Sequence, residues 1–413
     1  MRRNQSFTGI YLIAFLIIAI SILLMVFPQQ GFEAAMRGVS IWWDILFPAL
    51  FPFFVISEML LGFGIVHFLG ALLDPMMRPV FRIPGIGGFV MAMGFASGYP
   101  VAARLTSQLW EQKLVNREEG ERLVAFTTSS DPIFLIGAVS VGFFHDARLA
   151  LILAAAHYGG AVIIGILMRF HGRSALQTQM PPSSKGPIWK QAFHAMHEAR
   201  IRDGRPIGIL LGQAVNHALG LSFVVGGLVV FFSVVLEVLT AGHIMGYLYG
   251  GIRAILEMTG LPGSLSEAVM KGIFEVTLGA KAAGSAPGEI SLVSKTAIAA
   301  FVLSWAGLSV HAQIVSLLSN TNLRYFPFLA ARFIHGLISA VLVLMLWKVL
   351  YPVGDQLSVF LPDDYASAPH SSWLLLVMPS SALAFTLTFV LIASLFSAYT
   401  LIKLMLWKKG TIK

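Results

Sequence analysis

GGFVMAMGFASGYPVAARL, residues 87–105, is apolar enough to enter a bilayer, yet Gly94, Gly98 and Pro100 interrupt it in the middle. A helix broken at membrane depth leaves N–H and C=O groups without partners. Lipid satisfies none of them, so such a break persists only inside protein or beside a wet cavity. A second stretch of the same character, EAVMKGIFEVTLGAKAAG, occupies residues 267–284. Two interrupted apolar segments in corresponding halves of a membrane protein point to a transporter's binding site. The rest of the chain reads as the scaffold for this pair.

Composition sets the class. Of 413 residues 57% are hydrophobic and 12% charged, against about 25% charged in soluble domains, so the chain is a polytopic membrane protein. The absence of Cys excludes disulfides, thiolate catalysis and iron–sulfur or Cys-zinc sites. The net charge of +8 sits between apolar spans, which fits basic cytoplasmic loops rather than nucleic-acid binding. There is no phosphate-binding loop, no HExxH and no GxSxG in a strand–turn–helix context. His145, His157 and His335 share no metal-ligand spacing. No enzyme, metal or organic cofactor is expected; the coupling ion, H+ or Na+, stays open.

The apolar pattern predicts an all-α fold of about eight transmembrane helices, at residues 7–27, 41–61, 123–144, 149–168, 221–239, 296–318, 326–350 and 373–401, plus two re-entrant hairpins. Residues 1–30 form the N-terminal span, with Arg2 and Arg3 keeping the N-terminus inside. Residues 31–170 form a first repeat and 207–350 a second. Between them, 171–206 is a basic cytoplasmic linker. Residues 351–413 hold an acidic outer loop, a final span and a basic tail with Lys403, Lys408 and Lys409. Each repeat runs amphipathic helix (31–38, 208–219), span, interfacial helix, broken hairpin, span, span. FFVISEML at 53–60 echoes FSVVLEVL at 232–239, which matches Glu58 with Glu237. Duplication and chance similarity among apolar segments are the competing accounts. With termini and linker inside, the repeats are antiparallel, the inverted arrangement of secondary transporters. Lys271, Lys281 and Lys295 fall on the outer side and fit that topology poorly.

Candidate site residues cluster at the breaks. FTTSSDP, residues 126–132, sets Thr127, Thr128, Ser129, Ser130 and Asp131 before a proline that disfavours helix, so the chain is expected to unwind and expose hydroxyls and carbonyls. Ser304, Trp305 and Ser309, with His311, offer similar chemistry in the second half. Hydroxyls bonded back to their own helix are the plain alternative. The tips Ser97, Gly98, Tyr99 and Glu275, Thr277, Gly279 would place helix N-termini, favourable to carboxylate or phosphate, near the membrane centre. Glu275 and Lys281 are expected to face each other across the second tip, as anion site or as shape-fixing ion pair. Arg104, Glu58 and Glu237 are further charge partners, with snorkelling or structural roles as the alternatives.

LFPALFPFFVISEML, the GFASGYP tip, EGERL followed by AFTTSSDP, and GAVSVGFFH together resemble the sporulation integral membrane proteins of endospore-forming bacteria, within the nucleoside-recognition "Gate" group. The likeness covers nearly the whole chain. That group is similar to concentrative nucleoside transporters, whose paired re-entrant hairpins and unwound helices form the substrate site. The resemblance implies the same role for Ser97–Pro100, Thr127–Asp131, Glu275–Gly279 and Ser304–Ser309. It further implies transport of dipicolinate from the mother cell across the outer forespore membrane in stage V of sporulation. Dipicolinate is a small aromatic dianion; Lys281 and Arg104 could supply donors, Tyr99 and Trp305 walls. Nucleoside transporters bind uncharged ligands, so their base and ribose contacts do not carry over by type. Expected partners are therefore a small anionic substrate and the lipid bilayer, with no nucleic acid. The sequence leaves oligomeric state open, a homo-oligomer included. A neutral-solute transporter and a membrane scaffold for sporulation proteins are the competing readings.

Overall fold

In the computed structural model, which describes residues 7–178 and 187–358, every regular element is a helix. Helix α1 (Phe7–Val26) turns into α2 (Pro28–Ser40) through a bend of 103°. Pro28 occupies the first turn of α2, where its missing N–H costs nothing. A π-helical turn, Ile41–Leu46, carries α2 directly into α3 (Phe47–Gly62). Gly64, left-handed at φ 78°, then starts α4 (Ile65–Phe81). The first hairpin is α5 (Gly87–Ser97) and α6 (Tyr99–Glu111). It is followed by α7 (Arg117–Thr127), a break, a π-helical segment Ile133–Phe143, and α8 (Leu149–Met168). A capping box between Asn116 and Glu119 fixes where α7 begins.

The same order returns after a 16-residue helix α9 (Ile188–Asp203). Helix α10 (Ile207–Ala241) leads to α11 (Ile244–Met258), entered through left-handed His243. The second hairpin is α12 (Ser266–Phe274) and α13 (Val276–Gly284). Then come α14 (Leu292–Trp305), a break at Ala306, α15 (Gly307–Leu317) and α16 (Tyr325–Ser358).

Helices α2 and α3 lie antiparallel against α10. Arg37 pairs with Glu237 at 2.6 Å, the Trp42 indole donates to the Ser222 carbonyl at 3.0 Å, and Glu58 meets His217 at 3.6 Å. Residue numbers rise on one side as they fall on the other. Each matched glutamate thus meets a basic side chain on the opposite helix, near the two ends of the crossing. The second hairpin closes at backbone distance: a Cβ on Gly279 would come within 2.2 Å of the Gly272 Cα.

Several expectations change. The separate amphipathic helix at 208–219 and span at 221–239 are one 35-residue helix, because no proline interrupts residues 207–241. The linker contains α9, whose Phe193 packs its ring 5.0 Å from that of Phe68 on α4. The count of eight spans is not confirmed, one of them, 373–401, lying outside the described residues. Among the described residues four helical stretches, 149–168, 207–241, 292–317 and 325–352, are long and apolar enough to cross a membrane, and up to six if each of two bent pairs is one span. The expected span at 123–144 is missing from that set because the 128–132 break divides it. The PPSS part of the linker, Arg2, Arg3 and most of 351–413, with its span and basic tail, lie outside the described residues.

Gly226 is the contact point of the long helices, since a Cβ there would lie 2.5 Å from the Trp42 ring. Overpacking of this kind costs about 1–3 kcal/mol. Gly226→Leu should therefore lower the melting temperature of the detergent-purified protein. Gly227→Leu, one residue on with nothing within 4 Å, should leave it unchanged.

Candidate functional site

Both hairpin tips, the first break and the start of α15 converge on one narrow cavity of about 40 Å³, room for a few waters at most. Gly98, Tyr99, Asp131, Glu275, Thr277 and Ser309 supply its polar wall. Leu46 and Leu50 of the first long helix face Val225 and Val229 of the second across it. Gly98 adopts φ 88° and ψ −179°, a conformation essentially reserved for glycine. This turns the chain from α5 into α6 within one residue. At the second tip Glu275 is extended, and its carboxylate caps α13 by accepting from the Leu278 N–H at 2.8 Å.

A helix N-terminus favours negative charge, and each tip has already found a carboxylate. Glu275 serves α13. Asp131 stands beside the first: one oxygen caps the Ile133–Phe143 segment, accepting from the Phe134 N–H at 2.9 Å, and the other sits 3.2 Å from where a Cβ on Gly98 would be.

Behind the cavity a buried chain of hydrogen bonds joins the two breaks through His157. The Ser130 N–H donates to His157 Nε2 at 3.0 Å, and the Ser129 hydroxyl lies 2.8 Å from the same nitrogen. Because a backbone amide can only donate, Nε2 is the acceptor and the ring proton resides on Nδ1. Nδ1 then donates to Ser304 Oγ at 2.8 Å. Ser304 in turn donates to Ser339 at 2.8 Å, and Ser339 to the Ala156 carbonyl. His335 Nε2 donates to the His157 carbonyl at 2.8 Å, and Tyr158 to the Ser130 carbonyl at 3.0 Å.

The sequence-derived residues therefore separate into groups. Thr127 and Thr128 bond back to Leu123 and Val124 of their own helix. Ser129 and Ser304 belong to the His157 chain. The hydroxyls of Ser97, Ser130 and Ser309 are buried without partners. Trp305 is not a cavity wall; its indole donates to the Ile273 carbonyl and braces the second tip, with the His311 ring 4.3 Å from its own. Gly279 is a packing position. Lys281 is exposed, and no Glu275–Lys281 ion pair forms among the described residues, because α13 begins at Val276 and places Lys281 more than a turn beyond the tip. Arg104 is engaged with Glu58 at 3.6 Å, a carboxylate that also accepts from Gln108 at 2.9 Å. Glu237 is half-exposed in its pair with Arg37, outside the cavity.

Sequence reasoning weighed His157 and His335 only as metal ligands, and missed Tyr158, Arg332 and Ser339. None sits in a motif, and their partners lie far along the chain: His157 and Ser304 are 147 residues apart. At the outer end of α7, Glu121 ties the halves together. It accepts from the Arg324 amide and guanidinium at 2.8–2.9 Å and lies 2.6 Å from His171 Nε2. Burial pushes the Glu121 carboxyl up, but Arg324 and His171 outweigh it and hold it below its ordinary value.

A helical membrane protein with two tips and the first break around a shared cavity is the class defined by this geometry. Residues 44–172, which contain the first tip and first break, match the Gate family, described as nucleoside recognition. The chain is 40% identical over 399 residues to the sporulation integral membrane protein YlbJ of Bacillus subtilis (strain 168), covering 95% of this chain and 97% of that one. The chain belongs to this family of sporulation integral membrane proteins. No solved structure matches it.

Two outcomes follow from the buried polar groups. His157→Leu strands the Ser130 N–H and the Ser129 hydroxyl and should cost about 2–6 kcal/mol in unfolding free energy at about 1–3 kcal/mol per orphaned group; Ser339→Ala, at the far end of the hydrogen-bond chain, should cost less. A depressed carboxyl contributes stability that is complete above its unfolded pKa and lost as pH falls through the lower folded value. Melting temperatures should therefore drop on acidification below about pH 4.5, and Glu121→Gln should be less stable at pH 7 but flatter across that window.

Proposed function

We propose that the chain is a secondary-type transporter of a small organic anion, dipicolinate, moved from the mother cell across the outer forespore membrane during spore maturation. The observation that carries this reading is the meeting of both hairpin tips, the first break and the start of α15 at one cavity between α3 and α10. The order of elements recurs in the two halves, and α2–α3 runs opposite to α10. This supports treating 31–170 and 207–350 as inverted repeats, joined by a cytoplasmic linker at 171–206, with both termini cytoplasmic. Space of about 40 Å³ admits water but no aromatic ring, so the described conformation is closed, and cargo enters when the hairpins part. In this reading Ser97, Gly98, Tyr99, Thr277, Ser309 and the break residues 127–131 surround the substrate.

A nucleoside or similar neutral solute is the second reading, favoured by the Gate match over the first tip and break. Proteoliposomes loaded with the purified full chain decide between them. Labelled dipicolinate should accumulate, with uridine and adenosine failing to compete. Ser97→Trp, which fills the first tip, should reduce uptake at least about tenfold. Uptake indifferent to that substitution would count against the site, and displacement by nucleosides against the anion. Repeating the assay under a proton and then a sodium gradient identifies the coupling ion.

A further inference from the structure

Two arginines are buried almost completely, Arg122 at 1% exposure and Arg332 at 0%, and their surroundings differ. Arg122 spends all three nitrogens on carbonyls: those of His171, Arg82 and Gly172, at 2.7–2.9 Å. It staples a corner of the fold. Arg332 makes one such bond, from Nη1 to the Thr128 carbonyl in the first break, at 2.6 Å. Its Nε and Nη2 have no partner among the described residues.

Those two nitrogens form one edge of the guanidinium, the edge that grips a carboxylate through two parallel N–H···O bonds. A buried charge left this way is costly, and proteins normally pair it or supply further hydrogen bonds. The other candidates for an anion partner are spent. Lys281 is exposed, Arg104 faces Glu58, and the N-termini of α6 and α13 each face a carboxylate. Two residues from Thr128 in the same break, the Ser130 hydroxyl also makes no hydrogen bond among the described residues. Tyr99 lines the cavity and donates to the Leu303 carbonyl at 2.7 Å. The first break links the two: Arg332 holds its Thr128 carbonyl, and its Asp131 lines the cavity beside Tyr99.

We propose that the Nε–Nη2 edge of Arg332 is the carboxylate-binding element of the transport site, reached from the cavity past Tyr99 and assisted by the Ser130 hydroxyl. The ligand class is an organic acid with a carboxylate on a flat ring, the ring lying against Tyr99. This rests on the transporter reading and sharpens it, since it names the group that separates an acid from a neutral solute of the same shape.

The test measures binding of pyridine-2,6-dicarboxylate, its neutral diamide and uridine to the full-length protein in nanodiscs. The wild type should prefer the diacid to the diamide by about a hundredfold or more. Arg332→Gln should abolish that preference by weakening the diacid alone. Arg332→Lys, which can still reach the Thr128 carbonyl, should weaken the diacid about tenfold because a point charge replaces the fork. Equal loss for diacid and diamide would show Arg332 only bracing the break, and would overturn the assignment. So would unchanged diacid affinity in Arg332→Gln while the wild type still transports dipicolinate; that result leaves the transporter reading standing. A wild type that binds uridine and ignores every carboxylate overturns both. If neither variant folds, the wild-type comparison of diacid with diamide still decides, since equal affinities exclude a carboxylate grip.

Discussion

Backbone that leaves a helix in an apolar interior must find new hydrogen-bond partners, and this requirement organises the centre of the molecule. Freed carbonyls around the breaks and the second tip are met by side chains from elsewhere. Tyr99 reaches Leu303, Tyr158 reaches Ser130, Trp305 reaches Ile273, His311 reaches Trp305 and Arg332 reaches Thr128. Four of the five donors are aromatic, with a large apolar body and one polar end. Such residues fill the interior and satisfy it in the same placement. At about 1–3 kcal/mol for each orphaned group, these contacts decide whether the interruptions are tolerable at all.

The donors also tie the two halves together. Tyr99 belongs to the first hairpin but satisfies the second break; Arg332 belongs to α16 but satisfies the first. His157 spans both, its tautomer set by the Ser130 amide on one side and passed on to Ser304 on the other. The two breaks are thus joined directly through hydrogen bonds, without passing through the outer helices.

Much of this was legible in the sequence and some was not, for identifiable reasons. Glycine and proline at residues 94–100 and the hydroxyl run before Pro132 are local signals, and each break falls where they place it. Glu58 and Glu237 were matched by an eight-residue echo, and the structure sets them at comparable points of the long-helix crossing. Lys281 misled because spacing across a turn says nothing about how far the following helix carries a side chain round. Arg332 and His157 gave no signal: a lone polar residue in an apolar helix has no period or motif, and Arg332 lies 204 residues from the carbonyl it serves. The expected span at 123–144 is two short helices either side of the first break, a distinction hydropathy does not register.

The carboxylates of Asp131 and Glu275 have a consequence for selectivity. Glu275 occupies the positive end of α13 and Asp131 lies beside the turn into α6, so a stray chloride or phosphate finds a carboxylate already at each place. If the chain transports a ring-bearing acid, as proposed, the two carboxylates would act as a filter against the abundant small anions of the cell, favouring a molecule whose ring gains contact with the apolar walls.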